Sequence, residues 1–237
     1  MRQYEHLQCG PDRLRVGPWR SDPEIGELAA VVSTRPPRPE SIAAGVEALT
    51  RRGYRHIVTN ALSPPAQAGY LANGFQVQER LHLLGHSLDH IPEPPVPHRL
   101  RRGRRRDRPR ILEVDAAAFD PFWQLDEVGL LDAISATPSS RLQVEAAARP
   151  DAYAVTGRAG DRGYLQRLAV HPDVQGNGLG SALVIDALRW LRRRRCHLAM
   201  VNTQEINTAA YALYRALGFT DLPDGLAVLR LDVDRAS

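Results

Sequence analysis

Leu168-Ala169-Val170-His171-Pro172-Asp173-Val174-Gln175-Gly176-Asn177-Gly178-Leu179-Gly180-Ser181 is the stretch on which the fold turns. An alternating apolar segment ends at Val170, three glycines follow within five residues, and a helical pattern begins at Ser181. Glycine admits positive φ and brings backbone amides close to a ligand without a Cβ in the way. The first turn of a helix leaves its N–H groups unpaired at the positive end of the helix dipole. Together these features predict an anion cradle of pyrophosphate size. A Walker loop is excluded, because the chain has no lysine. The spacing Gly176-Asn177-Gly178-Leu179-Gly180 also departs from the Gly-x-Gly-x-x-Gly of dinucleotide folds. The bland alternative is a glycine turn that holds no ligand.

Outward from this loop, strand and helix patterns alternate. RLQVEAAA (141–148), DAYAVTG (151–157) and GYLQRLAVH (163–171) alternate as strands, the last two as a hairpin across GRAGD. SALVIDALRWLRRRR (181–195) has helical spacing, with cations in its last turn, where the dipole favours them. CHLAMVN (196–202) reads as a buried strand, and INTAAYALYRALGF (206–219) as a helix opened by Asn207 and ended by Gly218. LAVLRLDV (226–233) reads as a closing strand, and ILEVDAAAFDPFWQLDEVGLLDAISAT (111–137) as helix interrupted near Pro121. The order predicts a mixed α/β sheet with flanking helices.

Two blocks carry a resemblance. Gln175-Gly176-Asn177-Gly178-Leu179-Gly180 matches the Gln/Arg-x-x-Gly-x-Gly/Ala signature of the GCN5-related N-acetyltransferases (GNATs). Asn207-x-x-Ala210-x-x-Leu213-Tyr214-x-x-x-Gly218-Phe219 is similar to the second block of that family, at the expected separation of one helix and one strand. The resemblance covers about residues 107–237. It implies the acyl-CoA N-acyltransferase fold, with a mostly antiparallel central sheet and acetyl-CoA as co-substrate. It further implies that Gln175, Gly176, Asn177, Gly178, Leu179, Gly180 and Ser181 hold the pyrophosphate. Leu168, Ala169 and Val170 would pair with the pantetheine amides along a strand that splays from the next. Asn207 would contact the pantetheine arm, and Tyr214 would protonate the leaving thiolate. Tyr214 as a core aromatic, and Asn207 as a plain helix cap, are the competing readings. Where family members acting on protein N-termini commonly carry a glutamate, this chain has Asn202, so Glu205 and Glu145 are the candidate bases. His171 reads as a strand-end residue. Phe119-Asp120-Pro121-Phe122-Trp123 resembles the acceptor side of the ribosomal-protein-alanine N-acetyltransferase subgroup, against the competing reading of a core plug.

The N-terminal part echoes the second block: Ala66-x-x-x-Tyr70-x-x-x-Gly74-Phe75 repeats Ala210-x-x-x-Tyr214-x-x-x-Gly218-Phe219. SIAAGVEALTRRGYRHIVTN (41–60) precedes it as helix then strand, and FQVQERLHLLGHSL (75–88) follows. Ser63 replaces the asparagine, and STRPPRPES (33–41) has no glycine signature, so this copy should not hold coenzyme A. The expected organisation is a degenerate half-domain (1–90), an exposed Pro/Arg-rich linker (91–110) and a catalytic domain (111–237).

The 237 residues contain 31 arginines against 27 acidic residues, a net charge of +4. Eight of the arginines crowd Arg99–Arg110 and four more form Arg192–Arg195, so the composition describes two local runs rather than a basic face, and nucleic acid is not an expected partner. Two distant cysteines, Cys9 and Cys196, exclude a disulfide framework or zinc site, and the lack of an apolar leader or 18-residue apolar run predicts a cytoplasmic protein with no membrane partner. The expected activity is acetyl transfer to a primary amine, a protein N-terminus or a small molecule. The alternatives are a catalytically inactive acetyl-CoA-binding regulator and an Arg-rich scaffold that contacts RNA or a ribosome.

Overall fold

The computed structural model describes residues 4–20, 22–31 and 35–233. Ser33 and Thr34, the start of the stretch read as lacking a glycine signature, lie outside them. The chain divides into two compact units: residues 1–83, 204–206 and 223–237, and residues 84–203 and 207–222.

In the first unit, β1 (Glu5–Cys9), β2 (Asp12–Pro18) and β3 (Ile25–Ala30) form an antiparallel meander. Helix α1 (Pro39–Arg51) then leads into β4 (His56–Val58), parallel to β3, followed by α2 (Pro64–Leu71) and β5 (Gln76–His86). The last strand of the chain, β12 (Leu226–Asp232), lies between β4 and β5 and is antiparallel to both. Leu14, Leu28, Ile42, Leu49, Ile57, Tyr70 and Leu229 make the core.

The second unit takes β5 from Leu84 and adds β6 (Leu100–Arg102), α3 (Arg108–Ala118) and α4 (Glu127–Ser135), with single 3-10 turns at 105–107 and 121–123. Then come β7 (Ser139–Glu145), β8 (Ala152–Ala159), β9 (Arg162–Val170), α5 (Leu179–Arg193), β10 (Leu198–Gln204), α6 (Thr208–Ala216) and β11 (Thr220–Asp221). The sheet order is β10-β9-β8-β7-β6, antiparallel except for β9 with β10. Its two faces bury different cores. Ala152, Ala154 and Leu165 meet the apolar stripe of α5, from Leu179 to Leu191. Tyr153, Val155 and Ala169 meet Ile111, Val114 and Leu130 of α3 and α4. Each fully buried aliphatic side chain contributes about 1.5–3 kcal/mol, so the α5 stripe is a major stabiliser of this unit.

Both units are therefore mixed α/β, open, mostly antiparallel sheets with flanking helices, as the sequence predicts. The strand–helix–strand unit expected at 54–88 is present as β4-α2-β5. The N-terminal copy is longer than expected: β1-β2-β3-α1-β4-α2 repeats the order and pairing sense of β7-β8-β9-α5-β10-α6. Two boundaries are corrected. β12 belongs to the first unit, although the sequence placed 226–233 in the catalytic domain. Residues 91–110 are not a free tether. Leu100–Arg102 pairs with β7, Arg101 makes a double hydrogen bond to Asp107 (2.7 and 2.9 Å), and Arg110 pairs with Glu113 and Asp151. The run looked like self-repelling charge because composition does not show which carboxylates the fold brings to it, Asp107 within the run and Asp151 well beyond it. No helix among the described residues is long and apolar enough to cross a membrane.

Candidate active site

β9 carries the chemistry because it leaves its neighbour early. Its parallel ladder with β10 runs only from Arg162/Leu198 to Tyr164/Met200, although β9 continues to Val170. Against β8 the register jumps from Leu165–Thr156 to Arg167–Val155, so Gln166 is an extra residue, a β-bulge. The bulge reverses the side-chain parity. Leu165, Leu168 and Val170 pack on the α5 side, while Arg167 and Ala169 turn to the α3 side. The backbone edge of Leu168–Val170 is thus separated from β10, the splay that the sequence reading expected.

The loop after β9 closes on itself. Gln175 Nε2 donates to the Val170 carbonyl (3.0 Å), and the His171 ring accepts from Asp173 N (3.4 Å), which fixes the turn at Pro172–Val174. His171 stands one residue past the end of β9, where the sequence reading put a strand-end residue, and caps the turn. Gly176 and Gly178 have φ of +79° and +85°, a region closed to most side chains. Gly178 is the N-cap of α5 and offers no side-chain acceptor, so the amides of Leu179, Gly180 and Ser181 are left for an external anion. A Cβ on Gly180 would stand 3.3 Å from Leu213, so this glycine lets α6 approach the start of α5. The Pro-rich segment reaches the same place: Val96 lies against Gly178, and His98 Nε2 donates to the Asn177 carbonyl (2.7 Å).

On α6, Asn207 is the N-cap, its Oδ1 accepting from Ala210 N at 3.0 Å, which leaves its Nδ2 group for another acceptor. Tyr214 is 5% exposed and packs at 5.5 Å from the Phe219 ring. Its hydroxyl has no hydrogen-bond partner among the described residues, yet it is not one of the sealed polar atoms. Burial pushes this hydroxyl well above the ordinary tyrosine range, with the Arg167 charge pulling the other way. Tyr214 therefore keeps its proton at neutral pH.

Each candidate base has its own setting within its own unit. Glu205 belongs to the first unit, where it is exposed and its N–H donates to Arg80 O (3.1 Å). Glu145 accepts from Asp151 N (3.0 Å) and serves the β7–β8 turn. Asn202 is exposed on β10. The sequence reading missed a buried ion network beside the bulge. Arg167 donates twice to Asp115 (2.7 Å each) and to Trp123 O (2.7 Å), and Tyr153 donates to the same carboxylate. Asp115 is fully buried, and Phe119 covers the guanidinium at 3.5 Å. Phe119 packs half-buried against the α3-side core, and Phe122 and Trp123, also half-buried, stack edge to face. Only the apolar spacing around Asp115 hinted at this; its partner lies 52 residues on.

The residues present fit coenzyme A: an uncapped helix N-terminus, glycines a side chain would obstruct, and an open strand edge. The fold is that of the acyl-CoA N-acyltransferases. Residues 112–219 match the model of the Acetyltransferase (GNAT) family. Among relatives, the mycothiol acetyltransferase of Pseudarthrobacter chlorophenolicus is 43% identical over 53 residues, 22% of this chain and 16% of that one. The ribosomal-protein-alanine N-acetyltransferase of Escherichia coli is 37% identical over 70 residues, 30% of this chain and 47% of that one. This chain thus covers less than half the length of either relative. Two solved structures share the fold over nearly the whole chain. A tandem GNAT protein from the clavulanic acid biosynthesis pathway has a TM-score of 0.67 and 14% identity, covering 97% of this chain and 82% of that one. A GCN5-related N-acetyltransferase from Kribbella flavida has 0.66 and 15%, covering 98% and 91%.

Proposed function

We propose that the second unit is an acetyl-CoA-dependent N-acetyltransferase that moves an acetyl group to a primary amine by direct attack. The observation that carries this reading is one group of features on three adjacent elements: the freed edge of β9, the uncapped start of α5, and the Tyr214 hydroxyl on α6. Leu168, Ala169 and Val170 would hold the pantetheine amides, Gln175 to Ser181 the pyrophosphate, and the Asn207 Nδ2 group the pantetheine arm. Bound acetyl-CoA supplies the activated acyl group. Tyr214 holds its proton at the phenolic oxygen and gives it to the departing thiolate. The acceptor is a small-molecule amine or a protein N-terminus, and it attacks as the neutral amine. Glu205 is the carboxylate that the sequence offers as its base; Glu205→Gln tests this role by the acid limb of the rate profile.

The N-terminal copy is proposed to be unable to hold the cofactor, and its α1 supplies the reason. The Asp12 carboxylate accepts from Arg38 N (2.9 Å) and Ser41 Oγ (2.8 Å), so the helix start is already filled by an internal anion. The deciding experiment is calorimetric titration of acetyl-CoA into the whole chain and into Gly178→Val/Gly180→Val. One site per chain, absent from the variant, is expected. Two sites would overturn the inert copy, and none at millimolar cofactor would overturn the enzyme reading.

A further inference from the structure

Two arginine runs that stand about ninety residues apart meet on one face of the second unit. Arg102, on edge strand β6, pairs with Gln143 of β7, so Arg102, Gln143 and Arg141 share the α5 side of the sheet. Arg141 reaches α5, where it pairs with Asp186 and lies 5.4 Å from the Trp190 ring centre. Arg194, just past the end of α5, lies 5.3 Å from the same ring. Arg193 completes the group. Burial first, and then the like charges of Arg193 and Arg102, pull the Arg141 guanidinium below its ordinary value, against the attraction of Asp186. Three further arginines therefore stand about the Arg141–Asp186 pair. Arg102, Arg193 and Arg194 are exposed and have no acidic partner among the described residues.

We propose that this face binds the phosphodiester backbone of single-stranded RNA without reading its sequence. The site is separate from the acetyl-transfer site, since α5, at about 1.5 Å per residue, holds its two ends roughly 20 Å apart. An acidic protein is the weaker fit. Protein interfaces are anchored by desolvated aromatic or aliphatic side chains at their centre, and here the central aromatic, Trp190, is covered by the unit's own core. The same burial removes base stacking and leaves charge as the whole of the interaction, which is the sequence-independent mode. Guanidinium planes held against an indole are suited to paired hydrogen bonds with phosphate oxygens.

The test is fluorescence anisotropy of a labelled 20-nucleotide poly(U) RNA with the whole protein across 50–200 mM salt. Three engaged cations predict a log–log salt slope of about −2. Arg102→Gln/Arg193→Gln/Arg194→Gln should bring it to about zero, with acetyl-CoA binding unchanged. The matching triple lysine variant, which keeps the charge, should retain the slope. A slope that survives the glutamine variant, absence of binding at 50 mM salt, or equal competition by poly-glutamate of the same length would each overturn the proposal.

Discussion

Tyr214 and Tyr70 occupy equivalent positions in the two copies, and one atom distinguishes them. Each packs against the phenylalanine five residues on, at 5.5 and 5.3 Å, across a glycine of positive φ. The Tyr70 hydroxyl is sealed without a partner, whereas that of Tyr214 is not. Opposite consequences follow for the same substitution. Tyr214→Phe keeps the ring packing and removes the proton donor, so kcat should fall about 100-fold while cofactor affinity stays within about twofold. Steady-state kinetics and calorimetry check both parts, and an unchanged kcat ends the acid role. Tyr70→Phe removes an orphaned buried hydroxyl, whose desolvation costs about 1–3 kcal/mol. That variant should be as stable as the parent or more so in urea unfolding, and a clear loss would show an unseen partner for the hydroxyl. The tyrosines were legible in the sequence from their spacing alone. Their difference was not, because sealing depends on what packs above a ring.

At the scale of elements, the turn from Val170 to Ser181 was readable because glycine positions report backbone geometry directly. The bulge at Gln166 was not, since a strand with one extra residue has the same apolar and polar letters as a regular one. Its effect is visible only in what it brings together: Arg167 on the α3 face, beside Asp115. The β6–α3 joint was misread for a similar reason. A run of arginines does not show which carboxylates the fold turns toward it. Asp107 ties this joint, accepting from Arg101 and from Arg104 N (2.7 Å), and the Arg101 guanidinium is the main cause that holds its carboxyl down at about 2. A carboxyl depressed from an unfolded value of about 3.9 contributes stability that is complete above that value and lost as pH falls toward the folded one. Asp12 at the start of α1 is depressed in the same direction, chiefly by the hydrogen bond from Arg38 N. The melting temperature should therefore drop steeply between about pH 4 and pH 2. Asp107→Asn should start lower at neutral pH and fall less over that window in calorimetric scans. A parallel fall would place the acid sensitivity elsewhere.

For the whole molecule, the order of elements along the chain and the division into compact units differ. The sequence suggests a cut near residue 110, because composition changes there and the two GNAT blocks lie beyond it. The structure gives the last strand to the first unit. β12 is a central strand of that sheet, hydrogen-bonded to β4 on one side and β5 on the other, and its Ala227, Val228 and Leu229 are buried. Losing two buried aliphatic side chains and an alanine forfeits several kcal/mol at about 1.5–3 kcal/mol for each large one, comparable to the whole stability of a small domain. It also leaves two inner strands with unpaired backbone groups. A chain ending at Leu222 should therefore lose the first unit although it retains residues 1–83 intact. Limited proteolysis should then cleave within residues 1–83 first, at protease concentrations that spare the full chain, and hydrogen exchange should show α1 and β2 unprotected. If residues 1–83 keep their protection without β12, the first unit is completed by its own seven elements, and the C-terminal strand is an addition to it rather than part of its core.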